Sequence, residues 1–241
     1  MKQNKEEKEK TEGKQQRPRR KSREEMEKEE LKNRIESWKP KTKLGKLVKE
    51  KKIKNIDEIL DKNMKILETE AVDSLLNLKS DLLSIGQSKG KFGGGKRRVW
   101  RQTQKKIDEG NIPSFSAMAV VGDESGHVGL GLGKSKETLP GREKAIRKAK
   151  LSIFKVKRGC GGFDCSCDEE HSIPFKVEGK CGSTRMVLMP APQGTGLVIG
   201  EECKKILKAA GIKDIYSKSF GHIRTTINLA KACVAALKKL K

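Results

Sequence analysis

Residues Phe115–Glu137 read FSAMAVVGDESGHVGLGLGKSKE, and this stretch decides the fold of the middle of the chain. Ser114–Gly122 is apolar and partly β-branched, which predicts a buried strand. Asp123–Gly126 is typical of a turn that ends on a glycine with positive φ. Val128–Gly133 predicts a returning strand with valine and leucine on one face and only glycine on the other. Because glycine has no side chain, another backbone can approach that face closely.

A basic, glycine-rich loop, Gly86–Lys106, precedes this strand pair. It contains no Asp or Glu, and its candidate RNA-binding residues are Lys89, Lys91, Lys96, Arg97, Arg98, Arg101, Lys105 and Lys106. Lys134 and Lys136, at the end of the second strand, join this set. The whole chain has 55 Lys+Arg against 32 Asp+Glu and a net charge of +23. Such a surplus attracts phosphate backbones or anionic membrane surfaces.

Composition narrows the classes of function further. The chain contains no run of about 18 apolar residues and no signal-peptide core, so we expect a cytosolic protein with no membrane span. Only 4% of residues are aromatic. Stacking of unpaired bases is therefore poorly supported, and RNA binding is expected to rest on phosphate contacts and shape.

The N-terminal 37 residues predict a mixed-charge tail that is partly disordered or helical. Within it, Ser22–Trp38 favours a weak helix, with Ser22 as N-cap and Glu25 completing a capping box. Arg17–Arg23 is a basic cluster that fits RNA, an address signal or a solvated linker.

Residues 38–75 predict a helical extension. Thr42 and Asn55 are candidate N-caps of its first two helices, and a third helix is predicted over Glu70–Ile85. Residues 76–155 then combine a helix, strands and a basic helix that follows Pro140-Gly141. This order, together with the basic hairpin loop, predicts an α+β module of the double-stranded-RNA-binding type.

Four soft ligands lie within twelve residues, in the loop 159–171. Cys160, Cys165, Cys167 and His171 have the donor types that a structural zinc site requires, and the neighbouring glycines permit the tight turns of a zinc knuckle. The spacing is irregular, so unrelated loop residues or a Cys165–Cys167 redox pair remain alternatives. Cys181 is a candidate substitute ligand. Cys203 and Cys233 are predicted core thiols, because they lie on apolar helix faces.

Residues 156–241 predict a second domain with the order β-β-β-α-β-α, an α+β sandwich. Two of its loops, APQGTG and KSFGHIRTT, precede helices, whose N-termini favour anions. Lys218, His222 and Arg224 are therefore candidate phosphate-binding residues, or contacts to a neighbouring protein.

Catalysis has weak support. Gly129–Ser135 resembles a phosphate-binding P-loop, but Val128 stands where the first glycine of that motif is required. His127, His171 and His222 have no evident carboxylate companion in the sequence, so a nucleotide-using RNA enzyme is disfavoured.

Several long motifs resemble one known family. They are WKPKTKLGKLV, KAKLSIFKVKRG, HSIPFKVEGKCGSTRMVLMPAPQGTGLV, AGIKDIYSKSFGHIRTTINLAKA and the opening stretch. Together they are similar to the universal S5 family of small-subunit ribosomal proteins, called S2 in eukaryotes. The cysteine insertion and RQTQKKIDEGNIPSFSAM resemble its archaeal branch. The match covers about Trp38–Lys241.

The resemblance implies a double-stranded-RNA-binding-like domain joined to a domain similar to domain two of elongation factor G. It implies a structural ribosomal protein in the cytoplasm, which binds small-subunit rRNA near the mRNA entrance and supports translation accuracy. The implied neighbours are ribosomal protein families four and eight, and also two and three, with mRNA nearby. A stand-alone, zinc-stapled regulator that binds double-stranded RNA is the alternative.

Overall fold

The computed structural model describes residues 23–88, 90, 95, 97–162, 165, 167 and 169–240. The predicted tail up to Ser22, with its capping box and basic cluster, lies almost wholly outside these residues. The chain divides into one unit that ends at Lys39 and a compact unit that begins at Pro40. The first unit contains helix α1, Arg23–Ser37, which agrees with the predicted helix.

The helical extension contains three short helices, α2 (Lys43–Lys49), α3 (Ile56–Asp61) and α4 (Thr69–Leu75). The predicted N-cap Thr42 is confirmed, because its Oγ1 accepts a hydrogen bond of 3.0 Å from the Gly45 backbone N–H. Asn55 has the predicted position before α3 but makes no side-chain cap bond.

The predicted helix over Glu70–Ile85 is wrong in its second half. The helix ends at Leu75, and Lys79–Leu83 forms strand β1, antiparallel to the end of strand β3. Its apolar residues look helical in sequence, but Leu83 is fully buried whereas Lys79–Asp81 are exposed. Backbone pairing with the sheet therefore outweighs local helix preference.

The first sheet has five strands. After β1 come β2 (Arg101–Ile107), β3 (Gly110–Gly122), β4 (His127–Ser135) and β5 (Phe154–Lys155). The long strand β3 pairs with β2 through its first half, with β1 through its second half, and with β4 along its other edge. The predicted loop Gly86–Lys106 is thus shorter than expected, since Lys105 and Lys106 belong to a strand.

The glycine face of β4 packs against helix α5, Thr138–Leu151, as the sequence predicts. A Cβ atom on Gly129, Gly131 or Gly133 would lie only 2.2 Å from a backbone oxygen of that helix. These glycines therefore set the helix-to-sheet distance, and they cannot form a phosphate-binding loop. Helix α5 begins before Pro140-Gly141 rather than after it, because a proline in the first turn loses no intrahelical hydrogen bond.

The second sheet follows the predicted element order. Its elements are β6 (Val177–Cys181), β7 (Thr184–Met189), β8 (Leu197–Val198), helix α6 (Glu201–Ala209), β9 (Ile215–Phe220) and helix α7 (Thr226–Leu237). The strand order is β6-β7-β9-β8, and only β8 and β9 run parallel.

The two sheets share one apolar core. Met118, Val120 and Val128 of the first sheet belong to the same buried cluster as Met186 and Leu188 of the second. The modest hydrophobic content of the chain predicts that neither domain has a thick core of its own. The two domains instead bury their apolar side chains in one common cluster. Helix α6 contacts β1, β3 and β4, so it joins the second domain to the first sheet within the compact unit.

Candidate nucleic-acid interface and metal centre

Two described segments of the basic loop, Gly86–Ser88 and Arg97–Trp100, pair with each other, and we call this pairing the neck. The Gly86 N–H donates to the Arg98 carbonyl over 2.7 Å, and the Arg98 N–H donates to the Gln87 carbonyl over 3.2 Å. A Cβ atom on Gly86 would lie 2.2 Å from the Trp100 carbonyl oxygen, so the neck requires glycine there. Lys89, Lys91 and Lys96 lie outside the described residues.

The neck brings candidate residues of both sheets together. The half-buried Arg97 donates from its guanidinium to the Arg224 carbonyl over 3.0 Å. Arg97, Arg101 and Arg224 line a cleft of about 560 Å³, and the other described residues that line it are neutral. Sequence reasoning placed Arg97 and Arg224 in separate loops, 127 residues apart, and had no signal for their contact.

The remaining candidates are exposed and lie on several elements. Arg101, Lys105 and Lys106 are on β2, where alternation puts Lys106 on the opposite face from the other two. Lys134 is the last residue but one of β4, and Lys136 directly follows the strand. Lys218 is on β9, and His222 lies in the loop after it. The structure does not bring these last two residues to the cleft.

The four candidate ligands of the Cys/His loop do converge. The ligand atoms of Cys160, Cys165, Cys167 and His171 all lie within 4.8 Å of one another. The Cys165 Sγ is 2.9 Å from the Cys167 Sγ and 3.5 Å from the His171 Nε2. The Cys167 Sγ is 3.6 Å from the Cys160 Sγ. Cys181, the predicted substitute, ends β6 and is not one of these four.

The fourth ligand is oriented by a carboxylate. His171 is buried, and its Nδ1 donates to the Asp214 Oδ2 over 2.8 Å. The other Asp214 oxygen accepts from the Gly196 N–H over 2.7 Å. Since an ionised carboxylate only accepts, the proton of a neutral imidazole is on Nδ1, and the Nε2 lone pair faces the thiols. Such a carboxylate partner is typical of metal-ligating histidines.

The thiols of Cys165 and Cys167 are hydrogen-bonded to each other. The hydrogen bond from Cys167, helped by the Gln193 backbone, lowers the pKa of Cys165 to about 6. The same hydrogen bond raises the pKa of Cys167 to about 11. A thiolate thus forms in this cluster near neutral pH, and thiolate is the form that binds metal.

Two histidines have carboxylate companions that the sequence did not reveal. His127 Nδ1 is 2.6 Å from Asp123 Oδ2, and its Nε2 is 3.0 Å from Asp57 Oδ1. The expectation that none of the three histidines has such a partner is therefore wrong for His127 and His171. Asp57 and Asp214 are distant in sequence from the histidines they contact, whereas Asp123 is four residues before His127, a spacing that was available as a signal.

The comparisons with known proteins agree with the architecture. The family model for the N-terminal domain of ribosomal protein S5 matches residues 97–157, and that for its C-terminal domain matches residues 179–241. The chain belongs to the ribosomal protein S5 family. Small ribosomal subunit protein uS5 of Nanoarchaeum equitans is 52% identical over 86% of this chain and 89% of its own length. The uS5 protein of Thermofilum pendens is 48% identical over 84% of this chain and 93% of its own length. That of Staphylothermus marinus is 46% identical over 85% of this chain and 89% of its own length.

Membership of the S5 family confirms the resemblance predicted from the motifs. A member of this family is a structural constituent of the small ribosomal subunit and not an enzyme, so the prediction of a cytoplasmic ribosomal protein is also confirmed. Within the described residues, no helix is long and apolar enough to cross a membrane.

Proposed function

We propose that this S5-family protein binds small-subunit rRNA through a cationic surface built by both of its sheets. The observation that carries the proposal is the contact between Arg97 and Arg224, which gathers positive charge from two distant loops around one cleft. Because no acidic side chain is among the described residues that line the cleft, the arginines are available to neutralise phosphates. On sequence grounds, Lys89, Lys91 and Lys96 of the same loop belong to this surface as well.

The finer assignment follows the family. The first sheet with α5 serves as a double-stranded-RNA-binding-like module, and the second sheet resembles domain two of elongation factor G. The protein lies near the mRNA entrance, beside ribosomal protein families four and eight, and also two and three, and it supports translation accuracy. Shape and phosphate contacts, rather than base readout, dominate the interaction with paired rRNA.

Binding of an rRNA fragment at increasing salt tests the cleft. Removing one arginine that neutralises a phosphate should reduce the slope of log K against log salt by about 0.9. We expect R97A and R224A each to lower the slope by about that amount, whereas K62A, which removes an exposed lysine of the helical extension, should not. Unchanged slopes for both arginine variants would contradict the proposal.

Incorporation into subunits separates a ribosomal constituent from a stand-alone regulator. We expect the protein to co-sediment with small subunits after washing in high salt, because it is held by many contacts. Release of the wild-type protein under conditions that retain other subunit proteins would favour the stand-alone alternative.

We also propose that Cys160, Cys165, Cys167 and His171 hold a structural zinc ion. A tetrahedral zinc site places two sulfurs about 3.8 Å apart and sulfur and nitrogen about 3.5 Å apart. The separations of 3.6 Å and 3.5 Å fit, whereas the Cys165–Cys167 separation of 2.9 Å would have to widen by about 0.9 Å on metal binding. Zinc would cross-link and stabilise a loop that buries few apolar side chains of its own.

Elemental analysis of the purified protein tests this site. We expect one zinc ion per chain, absent in C160S and retained in C181S, which changes a half-buried cysteine outside the cluster. Equal zinc content in both variants would exclude Cys160 as a ligand.

A further inference from the structure

One face of the second sheet is left open. Helix α7 packs so closely on the other face that a Cβ atom on Gly179 would lie 2.1 Å from the Ala232 carbonyl oxygen. The strand register places a second set of side chains on the opposite face, and no described helix or strand covers it. The open face carries eight residues that are at least partly exposed, together with Val187, which is buried among them: Glu178, Lys180, Arg185, Met189, Val198, Tyr216, Lys218 and Phe220.

The open face displays aromatic rings in water. Tyr216 is 39% exposed, Phe220 is 51% exposed, and Val198, beside Tyr216, is 49% exposed. Tyr216 is the chain's only tyrosine. Both rings are on β9 and four residues apart, so they lie about 13 Å from each other along one line. Large rings concentrated on an exposed patch mark a binding surface.

Positive charge alternates with the rings. Lys218 lies between Tyr216 and Phe220 on the same face of β9, and it makes no ion pair with any described residue. Arg185 is opposite Phe220 on β7, and Lys180 is opposite Arg185 on β6. The only acidic residue of the face, Glu178, forms an ion pair with Arg185, with 3.0 Å between Oε1 and Nε.

We propose that an unpaired segment of RNA binds along β9, with bases stacked on Tyr216 and Phe220 and phosphates neutralised by Lys218 and Lys180. A base can stack its flat π-face on an aromatic ring, while adjacent lysines contact the phosphates of the RNA backbone. Proteins that bind single-stranded nucleic acid usually combine these two kinds of contact. A duplex hides its base faces, so it cannot use the rings. The core of a protein interface is depleted in lysine, which makes a protein partner a poorer match for this alternation.

This inference deepens the proposed function, because it assumes the rRNA setting and adds a second class of RNA contact at a different surface. It also revises the expectation from composition. Aromatic residues are few in the chain, but the fold places two of them on one exposed strand face where bases can reach them.

Fluorescence anisotropy with two labelled probes tests the proposal on the full-length protein. One probe is an oligouridylate of about 12 nucleotides, and the other is a blunt RNA duplex of equal length. We expect Y216A and F220A each to weaken oligouridylate binding about tenfold, and to leave duplex binding within about twofold of wild type. F175A, which removes a ring of similar exposure outside the sheet strands, should change neither affinity.

Each outcome has a definite meaning. Unchanged oligouridylate binding by Y216A and F220A overturns the inference, and so does an equal weakening for both probes, since that would indicate phosphate contact alone. If a purified neighbouring subunit protein binds these variants more weakly while oligouridylate does not, the face is a protein interface and the inference also fails. R97A and R224A test the cleft independently, so failure at the sheet leaves the proposed function standing. Thermal melting of each variant verifies that it folds.

Discussion

The Asp214 carboxylate and the His171 imidazole form a buried pair, with 2.8 Å between Oδ2 and Nδ1. Asp214 precedes β9 and also accepts from the Gly196 N–H, so it links the Cys/His loop to the loop before β8. Any metal held by His171 is thereby coupled to the second sheet.

We expect D214N to weaken zinc binding by about 10-fold to 100-fold, because removal of such a partner leaves the ligand ring unoriented. Competition with a chromogenic zinc chelator measures the affinity. D108N is the matched control, since Asp108 is exposed in the β2–β3 turn. Equal affinities for wild type and D214N would show that the carboxylate does not position the ligand.

In the metal-free protein, Cys165 should be the first cysteine to react with iodoacetamide. Its pKa is lowered to about 6 by the hydrogen bond from Cys167, so its thiolate is populated above that pH and is protonated below it. We expect the alkylation rate, followed by peptide mass spectrometry, to rise through about pH 6 and then level off. Cys203 and Cys233 are fully buried and should stay unmodified until the protein unfolds. Zinc should protect Cys165, and a midpoint near the ordinary thiol pKa of about 8.5 would contradict the hydrogen bond from Cys167 as the cause of the lowered pKa.

Local patterns predicted those features that depend on residues close in sequence. The glycine face of β4, the Thr42 cap and the Cys/His convergence each depend on a short stretch, and each is found. Sequence reasoning missed the long-range pairs, such as His171 with Asp214 and Arg97 with Arg224, because nothing in a single sequence marks which distant residues meet. Strand β1 was missed for the same reason, since its partner β3 is distant in sequence.

Replacement of Gly131 by alanine should strongly destabilise the protein. The new Cβ would lie 2.2 Å from the Ala145 carbonyl oxygen and 2.3 Å from the Ala149 backbone nitrogen, both in the backbone of α5. Helix and sheet must then separate, at a cost of about 3 kcal/mol or more in the free energy of unfolding. Urea denaturation measures this value. G90A is the control, because no atom of the described residues lies within 4 Å of the position of its Cβ. A cost below about 1 kcal/mol for G131A, at the low end of overpacking, would mean that α5 shifts freely.

The contact of His127 with Asp57 and Asp123 should make the attachment of α3 sensitive to acid. Both ring nitrogens lie within hydrogen-bond distance of a carboxylate, Nδ1 at 2.6 Å from Asp123 and Nε2 at 3.0 Å from Asp57. The hydrogen bond from His127 lowers the pKa of Asp57 despite partial burial. Burial raises the pKa of Asp123, but hydrogen bonds from the His127 ring and from the Ser125 and His127 N–H groups outweigh it, and the net pKa is lowered.

An aspartate whose pKa is lowered by folding stabilises the folded protein at every pH above its ordinary pKa of about 3.9. That stabilisation disappears as the pH falls through the pKa of the folded state. We therefore expect the melting temperature of wild type to drop more steeply below about pH 4 than that of D57N, which no longer carries the titrating group. Because Asp57 is 39% exposed, the difference should be modest, below about 1 kcal/mol. Thermal melts from about pH 3 to about pH 7 measure it, with D108N as the exposed control. Parallel curves for wild type and D57N would show that this ion pair does not contribute to folding stability.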